Sequence, residues 1–177
     1  MMKQLNKTKV MVLSAMFLAI AFILPFLTGQ IQQIGSMLCP MHLPVILCGF
    51  LCGAPWGFLV GFLAPVLRSM VLGMPPMFPQ AICMAFELAT YGLVAGYLYK
   101  ILPKKKYNIY SALIVAMILG RIVWGMAMYL CVGISGGQFG MEAFLAGALT
   151  NAIPGIIIQI ILIPVLVMAY EKLKQKE

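Results

Sequence analysis

The sequence predicts an all-α integral membrane protein with six transmembrane helices in a single domain, residues 1–177. Hydrophobic residues make up 63% of the chain, charged residues only 9%, and the mean hydropathy is +1.04. A water-soluble domain of this length needs a far more polar surface. The apolar residues also fall into six runs, and the lysines cluster at the two ends and at one connection between runs.

Each of the six runs is a candidate span. An α-helix rises ~1.5 Å per residue, so ~20 residues cross the ~30 Å hydrocarbon core. The first run contains no small-residue cleavage site, which favours a retained helix over a cleaved signal peptide. The runs are residues 10–27, 40–53, 56–73, 80–102, 109–133 and 142–170.

The second run has only 14 residues, and it crosses a bilayer only if it is tilted or shielded by protein. Ala54 and Pro55 are expected to end it. Two prolines interrupt the sixth run. The third run is expected to be kinked or closely packed, because it contains Gly57, Gly61 and Pro65.

The lysines set the orientation, because cytoplasmic connections carry an excess of basic residues. A cytoplasmic N-terminus places lysines 104–106 and the C-terminal tail in the cytoplasm as well. The connections 28–39, 74–79 and 134–141 then lie outside, and none of them contains a lysine. Segment 28–39 is rich in glutamine and is expected to be a lid or a re-entrant segment packed on the protein.

Composition weighs against several classes of protein. The net charge of +8 is explained by cytoplasmic flanks, so nucleic acid is not an expected partner. Five cysteines without metal-ligand spacing predict neither a metal site nor a disulfide framework. There is no Gly-rich phosphate loop followed by lysine, so the chain is not expected to hydrolyse ATP itself. No cofactor is expected.

A few polar side chains lie inside the apolar runs, where charges are costly and usually functional. At ~1.5 Å per residue all of them fall in the outer half of the membrane or near its midplane. That distribution predicts an outward-facing pocket. The candidate binding residues are His42, Arg68, Glu87, Arg121 and Asn151.

Two arginines face one glutamate at this depth, which favours an anionic ligand, since the planar guanidinium binds both oxygens of a carboxylate. Trp124 lies one turn after Arg121 and is a candidate for stacking on that ligand. The alternative is structural: Glu87 pairs with Arg121 or Arg68 and only holds helices together.

Other functions remain open on the residues alone. A membrane enzyme needs a base or nucleophile, and this chain has one histidine and no aspartate. A self-sufficient secondary transporter usually has two related halves, and no internal repeat is visible. A sensor or an assembly factor is a further alternative.

The sequence as a whole resembles the S components of energy-coupling factor (ECF) vitamin transporters. The run HLPVILCGFLCGAPWGFLVGFLAPVLRSM carries the resemblance, together with the small pair Ala15 and Ala19 on the first helix. The residues that match the family pattern within that run are His42, Pro44, Val45, Gly49, Gly53, Pro55 and Gly57.

The resemblance implies a substrate-binding subunit of the plasma membrane, not an enzyme. Such a subunit binds one vitamin from outside and topples in the membrane. It docks through Ala15 and Ala19 on a transmembrane coupling subunit that works with two ATPases. The segments RSMVLGMPPMFP, CMAFELATYG and NAIPGIIIQIILIP are most similar to the pantothenate group. Riboflavin and pyridoxine binders are close relatives.

Overall fold

The described part of the chain is helical. A computed structural model describes residues 6–28, 38–103, 105–137, 140–148 and 152–174, and no strand occurs among them. A 3-10 helix, Leu24–Thr28, follows the first α-helix, and a π-helical turn, Met77–Ala81, precedes the fourth. The α-helices, in chain order, are α1 (Lys7–Ile23), α2 (His42–Cys52), α3 (Ala54–Leu72), α4 (Ile82–Ile101), α5 (Lys106–Ile134), α6 (Met141–Ala148) and α7 (Ile153–Lys174).

Five of the described helices, α1, α3, α4, α5 and α7, are long and apolar enough to cross a membrane. The second predicted run forms α2, which has 11 residues and is therefore about 16 Å long, roughly half the hydrocarbon thickness. This helix packs against α1, α3, α4 and α7, and most of its side chains are buried. An apolar helix enclosed by protein need not match the bilayer.

The boundary between α2 and α3 differs from the sequence prediction. Ala54 and Pro55 begin α3 instead of separating the two helices. The break is Gly53, whose φ of 96° is accessible to glycine without steric cost. Pro55 lies in the first turn of α3, where a backbone N–H has no helical partner and its loss is harmless.

The sixth predicted run, residues 142–170, is replaced by two described helices. The short α6 ends at Ala148, and α7 begins at Ile153. Pro154 lies in the first turn of α7, a position that proline tolerates, while Pro164 lies inside the helix. Of these two described helices, only α7 is long and apolar enough to cross a membrane.

The centre of the bundle is α4, which packs against α2, α3 and α5. Glycines bring three backbones into direct contact there. A Cβ added to Gly92 of α4 would lie 2.8 Å from the Cα of Gly57 in α3, and one added to Gly57 would lie 2.7 Å from the Cα of Gly49 in α2. Gly61 is as close to α4, with an added Cβ 2.6 Å from the backbone nitrogen of Ala89. The close packing predicted for α3 is therefore confirmed.

We expect Gly92→Ala to lower the midpoint temperature of unfolding, because the new methyl group has to push α3 away from α4. Overpacking of this kind costs ~1–3 kcal/mol. Thermal unfolding of the purified protein in detergent, followed by tryptophan fluorescence, measures the change.

The matched control is Gly133→Ala in α5, where an added Cβ meets no atom within 4 Å. Alanine favours a helix over glycine by ~1 kcal/mol, so this variant should be as stable as the wild type or more so. A Gly92→Ala midpoint at or above the wild-type value would contradict the close packing.

Candidate functional site

Glu87 lies in the first half of α4, and only 1% of the residue is exposed. Tyr91 is one turn further along the same helix, and residues four apart share a helix face. The Tyr91 hydroxyl donates a hydrogen bond to Glu87 Oε1 at 3.1 Å, and both side chains are buried. Thus α4 itself supplies one partner for the buried carboxylate.

Arg121 reaches Glu87 from α5. Its Nη1 lies 2.9 Å from Glu87 Oε1, and its side chain is 15% exposed. The preceding residue, Gly120, allows this approach: a Cβ added there would lie 3.0 Å from Cζ of Tyr91 and still closer to other atoms of that ring. The glycine lets α5 pack flat on Tyr91, which brings Arg121 alongside the carboxylate.

His42 reaches the same carboxylate from the first turn of α2. Its Nε2 lies 3.4 Å from Glu87 Oε1, and its ring centroid is 5.2 Å from that of Tyr91. The residue is only 3% exposed. Within the described part of the chain, neither ring nitrogen has a hydrogen-bond partner of acceptable geometry. His42 therefore brings unsatisfied hydrogen-bonding capacity to the site.

Cys39 completes the set from the residues just before α2. Arg121 Nη2 donates to its sulfur at 3.7 Å, and its carbonyl accepts the backbone N–H of His42 at 3.1 Å. We call these five residues the Glu87 cluster: Cys39, His42, Glu87, Tyr91 and Arg121.

The Glu87 cluster can bind a small polar ligand by hydrogen bonds and charge. Its one formal negative charge and one formal positive charge balance when His42 is neutral. A guanidinium has five N–H donors, and in the described chain the second nitrogen of Arg121 donates to a sulfur, which is a weak acceptor. Among the described residues, no group of three or more His, Cys, Asp or Glu side chains could hold a metal ion.

Arg68 is placed elsewhere, although its residue is only 3% exposed. Its Nη1 donates a hydrogen bond to the carbonyl of Phe22 in the last turn of α1. The guanidinium also lies 5.9 Å from the Phe22 ring centroid and 4.9 Å from that of Phe26. Pro25 has no N–H to offer the carbonyls one turn earlier, so Arg68 supplies a donor at this helix end. Its described contacts are with α1 and not with the Glu87 cluster.

Trp124 lies one turn after Arg121 and stacks on Phe144 of α6, with ring centroids 6.3 Å apart and an interplanar angle of 29°. Glycines again permit the contact, since a Cβ at Gly125 would overlap the Phe144 ring and one at Gly147 would touch Trp124. The tryptophan thus joins α5 to α6 close to the cluster. Asn151, the last of the predicted binding residues, lies outside the described part of the chain.

The predicted docking pair faces away from the bundle. Ala15 and Ala19 are exposed on α1, whereas Ser14, Phe17 and Ala21 are buried on its opposite side. In the described chain α1 packs mainly against α2 and α3. The alanines therefore leave a shallow, exposed strip on a peripheral helix.

Two members of the cluster were not predicted from the sequence. Tyr91 carried a usable signal, because it lies four residues after Glu87 and a buried hydroxyl needs a partner. Cys39 carried none, because its approach to Arg121 depends on how the chain enters α2. Of the predicted binding residues, the structure brings together His42, Glu87 and Arg121.

The family model for the ECF transporter, substrate-specific component, matches residues 9–167. The match covers most of the chain, and the chain belongs to this family. Proteins of this family are substrate-binding subunits of multi-pass membrane transporters and not enzymes, and they act with ECF membrane and ATPase subunits. No curated protein and no solved structure matches the chain.

The ion pair at the centre of the cluster can be tested with Glu87→Gln, Arg121→Gln and the double variant. Removing one partner of a buried pair typically costs ~3–5 kcal/mol, because the other charge stays buried and unpaired. We expect each single variant to unfold at a lower temperature than the wild type. The loss of stability in the double variant should be much smaller than the sum of the losses in the two single variants. The readout is thermal unfolding in detergent.

The design is a double-mutant cycle, in which residues that share an interaction deviate from additivity. The additive reference is the pair Glu87→Gln and Gly133→Ala, because a Cβ added at Gly133 meets no atom within 4 Å. Additive losses for Glu87→Gln and Arg121→Gln would contradict the pairing.

Proposed function

We propose that the chain is the high-affinity binding subunit of an ECF-type transporter that takes up a small vitamin, with pantothenate as the first candidate. The observation that carries the proposal is the Glu87 cluster, a buried polar site in which, among the described residues, Arg121 Nη2 meets a sulfur and the His42 ring nitrogens have no hydrogen-bond partner. Intramembrane ionisable groups are functional by default.

Pantothenate fits this set of groups because it combines one carboxylate with hydroxyl and amide groups. A carboxylate oxygen is a much stronger partner for Arg121 Nη2 than the sulfur atom that contacts it. Hydroxyl or amide groups of the same ligand suit His42. Trp124 and Asn151 are proposed to line the remainder of the pocket.

Arg68 was included in the predicted binding set, and its contacts favour a supporting role. It is tied to the end of α1 by a hydrogen bond and two aromatic rings. We therefore assign the ligand carboxylate to Arg121 and keep Arg68 as the comparison residue in the binding experiment.

A second candidate is a neutral vitamin such as riboflavin or pyridoxine. It is favoured by the pairing of Arg121 with Glu87 at 2.9 Å, which leaves the cluster without net charge when His42 is neutral. Such a ligand would use the hydrogen-bonding groups of the cluster and not its charge.

The proposed arrangement in the cell follows the lysines: both termini lie in the cytoplasm, and the Glu87 cluster lies in the outer half of the plasma membrane. The exposed alanines of α1 are proposed to meet the transmembrane coupling subunit, to which the two ATPases attach. A small-residue strip lets another helix approach closely.

Calorimetry on the purified chain alone, with pantothenate, riboflavin, pyridoxine and nicotinate, tests the substrate. We expect tight one-to-one binding of pantothenate, and a loss of affinity of at least ~30-fold in Arg121→Gln, because truncation of one partner of a buried charge pair costs ~2–5 kcal/mol. Arg68→Gln is the matched control, since it removes the same charge from a position in contact with α1.

Two results would count against this assignment. Unchanged pantothenate affinity in Arg121→Gln would show that Arg121 does not bind the ligand carboxylate. Tight binding of riboflavin or pyridoxine by the wild type, without pantothenate binding, would move the assignment to the neutral vitamin.

The docking assignment predicts that Ala15→Leu combined with Ala19→Leu blocks vitamin uptake in cells that hold the complete transporter, while vitamin binding by the isolated chain is unchanged. Both side chains are exposed, so the bulk added there should disturb a partner and not the bundle. Val115→Phe, which adds bulk to an exposed position on α5, is the control. Normal uptake by the Ala15/Ala19 variant would remove the assignment.

A further inference from the structure

Cys39 is the member of the Glu87 cluster that lies outside the regular helices. It is the last residue of segment 28–39, and two residues separate it from α2. Its sulfur contacts Arg121 Nη2 at 3.7 Å, and its carbonyl accepts the His42 N–H at 3.1 Å. The residue is 8% exposed. Cys39 therefore connects the chain before α2 with two groups of the candidate site.

The backbone of Cys39 has a φ of 47°, in the left-handed region that side chains with a Cβ rarely adopt. Asparagine and aspartate adopt this region more readily than cysteine. In this conformation the sulfur of Cys39 contacts the guanidinium and its carbonyl accepts the His42 N–H.

The contact between the thiol and Arg121 is a weak one. Sulfur is a poor acceptor, whereas a carboxylate forms charge-assisted bonds to a guanidinium that are about twice as strong as neutral ones. Beside it, His42 is 3% exposed and neither of its ring nitrogens has a hydrogen-bond partner in the described chain. The unsatisfied imidazole independently indicates that a polar ligand completes this cluster.

We propose that Cys39 competes with the substrate for Nη2 of Arg121, and that this competition sets how strongly the protein prefers an acid to its neutral analogue. The proposal rests on the proposed function, since it takes Arg121 as the contact for the substrate carboxylate. A ligand oxygen replaces the thiol on Nη2, and Glu87 keeps Nη1.

Two variants of the full-length chain separate charge from shape at position 39. Asparagine and aspartate have nearly the same shape and both tolerate a positive φ. Cys39→Asp places a permanent carboxylate against Arg121, whereas Cys39→Asn places a neutral amide there. The ligands are pantothenate and pantothenyl alcohol, in which a CH₂OH group stands in place of the carboxylate.

We expect the wild type to bind pantothenate more tightly than the alcohol, and Cys39→Asn to keep this ratio of Kd values within about threefold. In Cys39→Asp the ratio should fall at least ~10-fold, because close charge pairs couple by ~1.5 kcal/mol or more. If Cys39 had only a structural role, Cys39→Asp would weaken the binding of both ligands equally. An unchanged ratio of Kd values in Cys39→Asp would therefore overturn the proposal.

Cys39→Ala gives a second test that does not depend on the folding of the aspartate variant. It removes the competing thiol, so pantothenate affinity should be equal to the wild-type value or higher. A loss of more than ~10-fold, confined to pantothenate, would overturn competition and make Cys39 a supporting contact.

Failure of the substrate assignment is distinguishable from failure of this proposal. If the wild type binds neither compound, pantothenate is wrong as the substrate. The same variants are then measured with whichever vitamin of the calorimetric panel binds, and equal affinities in Cys39→Asn and Cys39→Asp would overturn the role of Cys39.

Discussion

The burial of the Glu87 carboxylate is the constraint on which the rest of the bundle depends. A buried charge is tolerated only when it is paired and hydrogen-bonded, since its desolvation costs several kcal/mol. Tyr91 of α4 donates a hydrogen bond to Oε1, Arg121 of α5 pairs with the same oxygen, and His42 of α2 lies 3.4 Å from it. One side chain therefore ties α5 and α2 to α4.

Close helix packing makes that arrangement possible. Helices in a membrane gain little from hydrophobic burial against one another, because lipid tails are equally apolar, and small residues at their interfaces provide the contact. Gly57 and Gly92 bring the α3 and α4 backbones together, and Gly120 lets α5 lie against Tyr91. Without these close helix–helix contacts, the polar side chains of the Glu87 cluster would lie too far apart to pair.

The helical class followed from composition alone, and most helix positions followed from the lengths of the apolar runs. The boundary that was predicted wrongly depended on local backbone chemistry: Gly53 separates α2 from α3, and Ala54 and Pro55 form the first turn of α3. The division of the sixth run into α6 and α7 had no clear apolar interruption to reveal it. Length indicates that a run can cross a membrane, and it does not show where a helix ends.

The candidate site was predictable in part for a similar reason. Ionisable residues inside apolar runs are easily recognised in a sequence, so His42, Glu87 and Arg121 could be selected. Their predicted depths in the membrane indicated that they lie close together. Depth does not give direction around a helix, however. Arg68 lies near the same level but contacts Phe22 of α1 and Phe26 of the 3-10 helix that follows it. Cys39 joins the cluster from a position just before α2, a placement that hydropathy does not encode.

Arg68 shows how a buried charge outside the site still contributes to the whole. It belongs to α3, which is locked against α4 by glycine contacts, and it holds the end of α1, the helix that exposes Ala15 and Ala19. Closely packed protein interiors have low compressibility, so they transmit strain between the elements in contact. Packing contacts therefore run without a break from the helix with the exposed strip, through Arg68 and α3, to the helix that bears Glu87.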